Sequence, residues 1–292
     1  MNPLELLPGK IEELVHELSV LPYNNMEGRV TSPWTLTNYV VWGLIALATT
    51  MIMFIVVANR EKKQIALAAQ SGDVTALAPA GRLVGALEAG VEFIRDMATD
   101  VIGPKDGPKY VPLLGTFFFM ILISNMFGLI PAGKSIGGTI GGTVALALIS
   151  WIAFVWIGFS KNGAYGYLKS LIPEGVRQMP VAGRVLLGGF IFLLEFISYF
   201  IVRPLTLAVR LFANLYAGHI ILGVFSGFVA LFWPILEKDL AWSIGGMGAG
   251  ALALVFLILM YAFEVFVAFI QAYVFTILTA VYIQSSVHAS EH

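Results

Sequence analysis

The sequence predicts an all-α, polytopic membrane protein with about five membrane helices and one amphipathic helix at the membrane interface. The chain of 292 residues is 58% hydrophobic and only 12% charged, whereas soluble domains carry about 25% charged residues. Several runs exceed the ~18 apolar residues that mark a membrane-spanning helix. The alternation of polar and apolar residues that marks the strands of a membrane barrel is absent from the sequence.

The apolar runs divide the chain into an N-terminal tail on the outer face, residues 1–34, and a single membrane domain, residues 35–292. The tail holds five glutamates and early prolines, unlike a signal peptide, which needs a basic start and a short apolar core. Apolar residues at helical spacing between positions 11 and 18 predict a short amphipathic surface helix. The expected membrane spans are residues 37–59, 111–130, 143–159, 185–233 and 242–285.

A second amphipathic helix is predicted between the first two spans. Leu83, Leu87, Val91, Ile94 and Met97 recur at intervals of three or four residues, which puts them on one helix face. The charged residues between positions 82 and 96 lie elsewhere around the helix. That pattern is typical of a helix lying in the plane of the membrane interface.

The distribution of basic residues predicts the orientation of the chain. The loops 60–110 and 160–184 hold seven and four Lys or Arg residues, and the tail holds two. Because short loops rich in Lys and Arg face the cytoplasm, both loops are expected to be cytoplasmic. Five spans then alternate consistently in the cell (plasma) membrane, with the N-terminus outside and the C-terminus in the cytoplasm.

The last two apolar segments are too long for simple spanning helices. As continuous helices of 44–49 residues they would rise ~65–75 Å at ~1.5 Å per residue, whereas the hydrocarbon core of a bilayer is ~30 Å thick. Either each segment breaks into two spans, or each is one helix tilted beyond the usual ~0–40°. Pro204 could kink or break the first of them. Hydropathy alone leaves both alternatives open.

A permanent positive charge lies inside the first of these segments. Arg210 belongs to a stretch with no acidic residue between Glu195 and Glu237, and a guanidinium does not deprotonate in proteins. Holding such a charge at bilayer depth costs at least ~2.5–3.5 kcal/mol. The default hypothesis is therefore a membrane function that handles charge. Other polar residues of the two segments include Glu195, Ser198, Arg203, Thr206, Asn214, His219, Glu264, Gln271 and Thr276.

Helical geometry groups some of these polar residues. At 100° per residue, Arg210 and Asn214 lie on one helix face, and Glu264 and Gln271 share a stripe of the second segment. Small residues beside Arg210 allow another helix to approach closely. A histidine and a carboxylate that titrate, amides that hydrogen-bond and one fixed cation are together typical of a proton path.

Structural interpretations compete with that proton path. Glu264 and Arg210 could form a buried ion pair that only fixes helix packing, and we expect Arg203 to extend its guanidinium to the membrane interface. The segment Gly128–Ser135 satisfies the pattern GxxxxGK[ST] of a phosphate-binding loop. We reject that function because the pattern ends an apolar span, contains Pro131 and lacks the preceding strand that such a loop requires.

Composition argues against other classes of site. The formal net charge of -1 argues against nucleic-acid binding. Without cysteine, the chain has no disulfides, thiolate metal sites or cysteine nucleophiles. The four histidines lie at positions 16, 219, 288 and 292 without the spacing of metal ligands. We therefore expect no metal site, no cofactor and no catalytic residue.

Three segments of the chain resemble parts of one known family. They are RPLTLAVRLFANLYAGH (203–219), AFEVFVAFIQAYVFTILTAVYI (262–283) and SNMFGLIP (124–131). They resemble, in that order, the signature, the last helix and the second-span motif of subunit a of the F-type rotary ATP synthase. The resemblance covers about residues 110–290. It implies five spans, an interfacial helix and two long helices that are steeply tilted in the membrane.

The resemblance also implies roles for individual residues. Arg210 is the stator arginine, and Gln271 is its neighbour across the helix pair. Many bacterial members have Glu where this chain has His219 and His where it has Glu264, so the acid and the imidazole are exchanged and the order of relay between them is open. The implied half-channel residues are Asn214, His219, Glu264 and Gln271 on the outer side, and Glu195 and Thr206 on the cytoplasmic side.

The function implied is that of a non-catalytic subunit that carries protons for ATP synthesis. Its expected partners are an oligomeric c ring, peripheral-stalk b-type subunits, the rest of the ATP synthase complex and the lipid bilayer. A secondary transporter could instead use Arg210 to bind an anionic substrate, although no convincing internal repeat, frequent in transporters, is visible. A structural scaffold would keep its buried charges only for packing.

Overall fold

The structure, a computed structural model, describes residues 38–71, 82–130, 133–170, 181–232 and 240–288. Within these ranges the fold is helical and contains no strand. The tail, residues 1–34, and its expected surface helix lie outside the described residues. The helices are α1 Asn38–Ser71, α2 Arg82–Ile102, α3 Gly107–Leu129, α4 Ile140–Ser170, α5 Val181–Ile197, α6 Arg203–Phe232 and α7 Leu240–Val287.

In the described part of the chain, five apolar helical stretches are long enough to cross a bilayer, which confirms the predicted all-α, polytopic fold class. Helix α1 continues to Ser71, past the predicted end of its span at residue 59. The basic turn that follows the apolar run consists of good helix formers such as Lys, Gln and Ala, so the helix does not end where the apolar run ends. The stretches are Tyr39–Ala66, Gly107–Leu129, Ile140–Gly163, Val185–Ala230 and Gly250–Val287.

Helix α2 has the apolar face that its sequence predicts. Ile94 and Met97 are buried, whereas Arg95 is exposed. The helix packs against α3, where the ring centroids of Phe93 and Phe118 lie 6.1 Å apart. The amphipathic character of α2 is therefore confirmed, and its position at a membrane interface stays a prediction.

The segment Ile136–Gly138, which follows the pattern Gly128–Ser135, folds as a 3-10 turn. The Ser135 hydroxyl accepts a hydrogen bond from the Gly137 N–H (3.2 Å) and donates one to the side-chain carbonyl of Asn125 (3.2 Å). The Ser124 hydroxyl accepts a hydrogen bond from the Ile136 N–H (3.0 Å). The N–H groups of Ile136 and Gly137 are thus bonded to side-chain hydroxyls, the first on α3 and the second directly before the turn.

The last two apolar segments do not break into separate spans. Helix α7 runs for 48 residues, or ~72 Å at ~1.5 Å per residue. The earlier segment continues from α5 through a π-helical turn, Ser198–Val202, into α6. The structure thus shows the unbroken form of each segment. Helices of this length fit a hydrocarbon core of ~30 Å only when they are strongly tilted.

Pro204 widens the helix instead of breaking it. In a regular α-helix the N–H of residue 204 would bond to the carbonyl of Phe200, but proline has no N–H and its ring clashes with that carbonyl. The Arg203 N–H instead bonds to the carbonyl of Ser198, five residues earlier, which is the spacing of a π-helix. The chain therefore passes the proline with one wide turn directly before Arg203.

The described residues form two compact units. The small unit comprises the described residues at position 38 and within 214–267, and the large unit comprises those within 39–213 and 268–288. Inside the large unit, aromatic pairs hold the last part of α7 against α3 and α4. The ring centroids lie 5.5 Å apart in the pair Phe117–Phe275 and 5.4 Å apart in the pair Phe154–Tyr282.

A cluster of charges joins the turn between α2 and α3 to α4. The two carboxylate oxygens of Asp106 each lie 2.7 Å from an ammonium nitrogen, one on Lys109 and one on Lys161. The hydrogen bonds from Lys109 and then from Lys161 lower the pKa of Asp106 to about 2.

Two residues beyond Lys161, a positive φ of 68° at Gly163 kinks α4, a conformation that glycine adopts without strain.

We expect Asp106→Asn to weaken the junction between this turn and α4. Because the folded pKa of Asp106 lies below its unfolded value of about 3.9, the ionised carboxylate stabilises the fold above that pH, and the contribution is lost as pH falls towards about 2. Thermal unfolding in detergent should show a small decrease in Tm at pH 7 that shrinks at pH 3. Asp100→Asn, at an exposed aspartate of α2, is the control, and equal Tm values for the two variants at pH 7 would contradict the prediction.

Candidate functional site

Arg210 lies on the exposed side of α6. Leu207 and Leu211 are each 1% exposed, so α6 packs one face into the large unit and turns the other face outward. The outward face carries Arg210 beside apolar residues such as Val209, which is 49% exposed. Among the described residues of its own unit, no acidic side chain lies within ion-pairing distance of Arg210. This exposure argues against a buried ion pair that serves only packing.

Gln271 has the opposite environment in the same unit. It lies on a buried stripe of α7 and is 4% exposed. On either side of it, Phe269 packs edge to face on Phe118 of α3 (5.7 Å between centroids), and Tyr273 packs on Phe93 of α2 (5.6 Å). Helices α2 and α3 therefore hold this part of α7 in place.

Glu264 lies against the histidine-bearing turn of α6 in the small unit. The residue is 7% exposed, and its carboxylate lies directly on the backbone of Gly218, where a β-carbon would overlap both carboxylate oxygens. His219 is the next residue along the chain, and Asn214 lies one turn earlier; both are half-buried. The glycine thus allows the acid of one helix to reach the backbone of the other.

The two helices of the small unit run antiparallel at this point. Gly218 meets Glu264, and further along the pair the rings of Phe225 and Phe256 stack with centroids 5.6 Å apart. Residue numbers therefore increase along α6 in the direction in which they decrease along α7. This packing brings an acid and an imidazole that are far apart in sequence into one part of the unit.

Arg203 is held between two tyrosine rings, and its expected extension to the membrane interface stays a prediction. Its guanidinium carbon lies 3.4 Å from the ring centroid of Tyr199 and 4.8 Å from that of Tyr282, within the ~6 Å of a cation–π contact. Its Nη1 atom is buried without a hydrogen-bond partner among the described residues. A guanidinium can stack on aromatic faces, a partnership that sequence spacing does not reveal.

A seam of hydroxyl and amide groups joins α4 to the end of α7. Ser150 and Thr279 share a hydrogen bond of 2.9 Å, and the side-chain amide of Asn162 donates to the carbonyl of Ser286 at 2.7 Å. The Tyr167 hydroxyl lies 3.3 Å from the Ser286 hydroxyl. Burial raises the pKa of Tyr167 to about 12, so this phenol stays protonated at physiological pH.

Sequence reasoning missed this seam and the tyrosines around Arg203, although a signal for them exists. A run of five residues at intervals of three or four marks one buried or half-buried face of α7. Most residues of that face carry hydroxyl or aromatic groups, which do not stand out in an apolar segment as charged and amide residues do. The five residues are Gln271, Phe275, Thr279, Tyr282 and Ser286.

Glu195 and Thr206 do not join Arg210 in the described structure. Glu195 is half-buried on α5 and has no ion-pair partner among the described residues of the large unit. Thr206 is exposed, and its hydroxyl donates to the carbonyl of Arg203 at 3.0 Å, a bond within its own helix. Their expected place near a cytoplasmic half-channel stays a prediction.

These parts together combine a fixed cation with groups that can take and release protons. Arg210 presents a charge that does not titrate on an apolar, outward face, whereas Glu264 and His219 lie together in a partly buried setting. A carboxylate and an imidazole can pass protons, and a guanidinium cannot. The arrangement suits proton transfer to a partner group.

Comparison with known proteins identifies the same family that the sequence resembles. A sequence profile of the family described as ATP synthase A chain matches residues 40–284. ATP synthase subunit a of Arthrobacter sp. (strain FB24) is 37% identical over 214 residues, covering 73% of this chain and 76% of the relative.

Two further relatives extend the comparison. ATP synthase subunit a of Rhizobium rhizogenes is 37% identical over 212 residues, covering 73% of this chain and 78% of the relative. ATP synthase subunit a of Pseudarthrobacter chlorophenolicus is 31% identical over 292 residues, covering 99% of this chain and 96% of the relative. The similarity therefore spans the membrane helices and both parts of the candidate site, and the chain belongs to the ATP synthase A chain family, as a subunit a of the membrane sector.

Proposed function

We propose that this subunit is the stator of a proton-driven rotary motor. It provides two offset half-channels through which protons reach and leave the carboxylates of a ring of c subunits. The observation that carries the proposal is the exposed guanidinium of Arg210 on an apolar face of a membrane helix. A charge that is costly to keep at that depth needs a partner, and a ring carboxylate supplies the opposite charge.

The chemistry at Arg210 follows from the different costs of charged and neutral acids in lipid. A protonated carboxyl group tolerates hydrocarbon, whereas its anion does not. When rotation brings a protonated ring carboxyl to Arg210, the nearby cation favours the ionised form and lowers its pKa. The proton then leaves towards the cytoplasm. The same fixed charge repels hydrated protons and so prevents a direct leak between the two half-channels.

The outer half-channel would use the cluster around Glu264. The contact of its carboxylate with Gly218, beside His219, supports a path in which an acid and an imidazole hand on protons. Asn214 and Gln271 would contribute amide groups that hydrogen-bond to water in this path. The acid lies on α7 and the imidazole on α6, the reverse of the arrangement in many bacterial relatives.

The cytoplasmic half-channel would lie near Glu195 and Thr206. The basic loops 60–110 and 160–184 support an orientation with the C-terminus in the cytoplasm and the N-terminus outside. Each proton that crosses supplies about 2.3 kcal/mol per 100 mV of membrane potential. The chain itself would catalyse no bond change: ATP synthesis would take place in the soluble part of the complex, and b-type stalk subunits would hold the stator still.

We expect Arg210→Ala to reduce proton-driven ATP synthesis in membrane vesicles by at least about 100-fold, the loss typical when one preorganised electrostatic group is removed. The chain should still insert and assemble, because Arg210 is exposed and the packed face of α6 is unchanged. Arg95→Ala, at an exposed arginine of α2, is the control and should keep synthesis within about twofold. Substantial synthesis by assembled Arg210→Ala complexes would refute the stator function.

We expect Glu264→Gln to slow proton transport by roughly tenfold or more. Removal of a general acid or base typically costs about 10²–10⁴-fold, and His219 would retain part of the path. Proton flux in vesicles, followed with a pH-sensitive dye, measures the effect. Glu92→Gln, at an exposed position of α2, is the matched control. Equal proton flux in the two variants would remove Glu264 from the path.

We expect Gly218→Ala to slow proton transport although residue 218 carries no polar group. The added methyl would occupy the position of the Glu264 carboxylate, which must swing away. Stability should change little because the displaced group is the end of a flexible side chain. Gly248→Ala, where a β-carbon meets nothing within 4 Å, is the control on α7. If the two glycine variants transport protons equally, the carboxylate position beside residue 218 has no role in transport.

A further inference from the structure

The π-helical turn before α6 leaves one carbonyl without a donor from its own helix. At α-helical spacing the carbonyl of Tyr199 would accept from the Arg203 N–H, but that N–H bonds to Ser198. At π-helical spacing it would accept from residue 204, which is a proline and has no N–H. Neither spacing therefore supplies the Tyr199 carbonyl with a main-chain donor.

Trp151 of α4 provides the missing donor. Its indole N–H donates to the Tyr199 carbonyl with an Nε1–O distance of 3.2 Å, and its ring packs edge to face on Phe200 (5.7 Å between centroids). Tyr199 is 8% exposed, a depth at which an unmet carbonyl is costly. A side chain from another helix thus completes the hydrogen bonding of the wide turn.

This hydrogen bond favours one of two possible registers of the helix. In an unwidened α-register, the Arg203 N–H would satisfy Tyr199, and the carbonyl of Phe200 would lack a donor because of Pro204. Each register therefore leaves one carbonyl unmet. Trp151 bonds to the carbonyl that is unmet in the π-register, so it stabilises that register. The stacking of Arg203 on the ring of Tyr199 holds the same residue from the other side.

The register determines the direction in which Arg210 points. When a π-helical turn gives up its extra residue and becomes α-helical, the helix beyond it rotates by ~100° about its axis and shifts by ~1.5 Å along it. Arg210 lies seven residues beyond Arg203 on the unbroken helix α6. A change from the π-register to the α-register would therefore turn Arg210 relative to α5.

We propose that Trp151 is a positioning residue: its indole N–H supplies the donor that Pro204 cannot, selects the π-register and so directs Arg210 towards its partner. The inference rests on the proposed function for the importance of where Arg210 points, but the register itself is independent of that function. Trp151 touches no proton-carrying residue in the described contacts and acts only through the shape of α6.

Two substitutions distinguish an effect on the helix register from an effect on the stability of the protein. Trp151→Phe removes the donor and keeps an aromatic ring, so each register then leaves one carbonyl unmet and the π-register loses its advantage. Adding Pro204→Ala restores an N–H that can bond to Phe200, so the double variant satisfies every carbonyl of the turn in the α-register. Because alanine also favours helix over proline, the double variant should be at least as stable as the single Trp151→Phe variant, yet further from the native register.

In intact complexes, the rate of ATP synthesis and the distance between labels on α5 and α6 should therefore change together. We expect proton-driven ATP synthesis to fall at least about tenfold in the double variant at native membrane levels, since a ~1 Å misplacement can cost about 100-fold. Trp156→Phe, at a 71% exposed tryptophan of the same helix, should match the wild type. Pro204→Ala alone should retain the π-register and most of the activity, because Trp151 still bonds to Tyr199.

Spin labels report the register directly. The chain contains no cysteine, so labels attach only at introduced sites, here Leu186→Cys on α5 and Leu205→Cys on α6, both exposed. We expect the distance between the two labels to shift by several ångströms in the double variant and not in Trp156→Phe. An unchanged distance would overturn the register assignment, and a shifted distance with full ATP synthesis would overturn the positioning role.

The same labels distinguish this inference from the proposed function. Arg210→Ala should keep the wild-type distance and lose ATP synthesis. If Arg210→Ala complexes still made ATP, the stator function would fail while the register result from Trp151 and Pro204 would stand. If Arg210→Ala behaved as expected but the double variant kept both distance and activity, the stator function would stand and the role of Trp151 would be refuted.

Discussion

A guanidinium that cannot lose its charge, held on an apolar helix face, is the constraint on which the rest of this structure depends. Under the proposed stator function, Arg210 needs a backbone that holds it in one position, because its charge would act only where a partner acid passes. Helix α6 meets this need by burying Leu207 and Leu211 on its opposite face. The wide turn before α6 and the aromatic contacts of Tyr199 then determine how that face is turned.

The titratable groups lie in a different environment from the fixed charge of Arg210. Glu264 is buried and lies against a glycine, so the position of its carboxylate depends on the absence of a single methyl group. Glu264 on α7 and His219 on α6 place both kinds of group in the same part of the small unit. A proton path needs both chemistries close together, and the two helices can contribute them in either order.

Much of the fold follows from the sequence because hydrophobic length and periodicity are local properties. The five apolar helices and the buried face of α2 are read from spacing alone, and Arg210 stands out because charge is rare at such depth. The unbroken course of the long segments is not readable in this way, since hydropathy cannot distinguish one tilted helix from two spans. The π-helical turn at Pro204 and the seating of Arg203 between Tyr199 and Tyr282 depend on contacts between distant residues, which no local pattern contains.

A density map of the assembled complex would test the central claim most directly, because it shows what lies opposite Arg210. We expect the guanidinium to face the carboxylates of a ring of small subunits within the hydrocarbon region, between the two groups of proton-carrying residues. An Arg210 side chain that pointed into bulk lipid or into a loop, away from any ring carboxylate, would contradict the stator function.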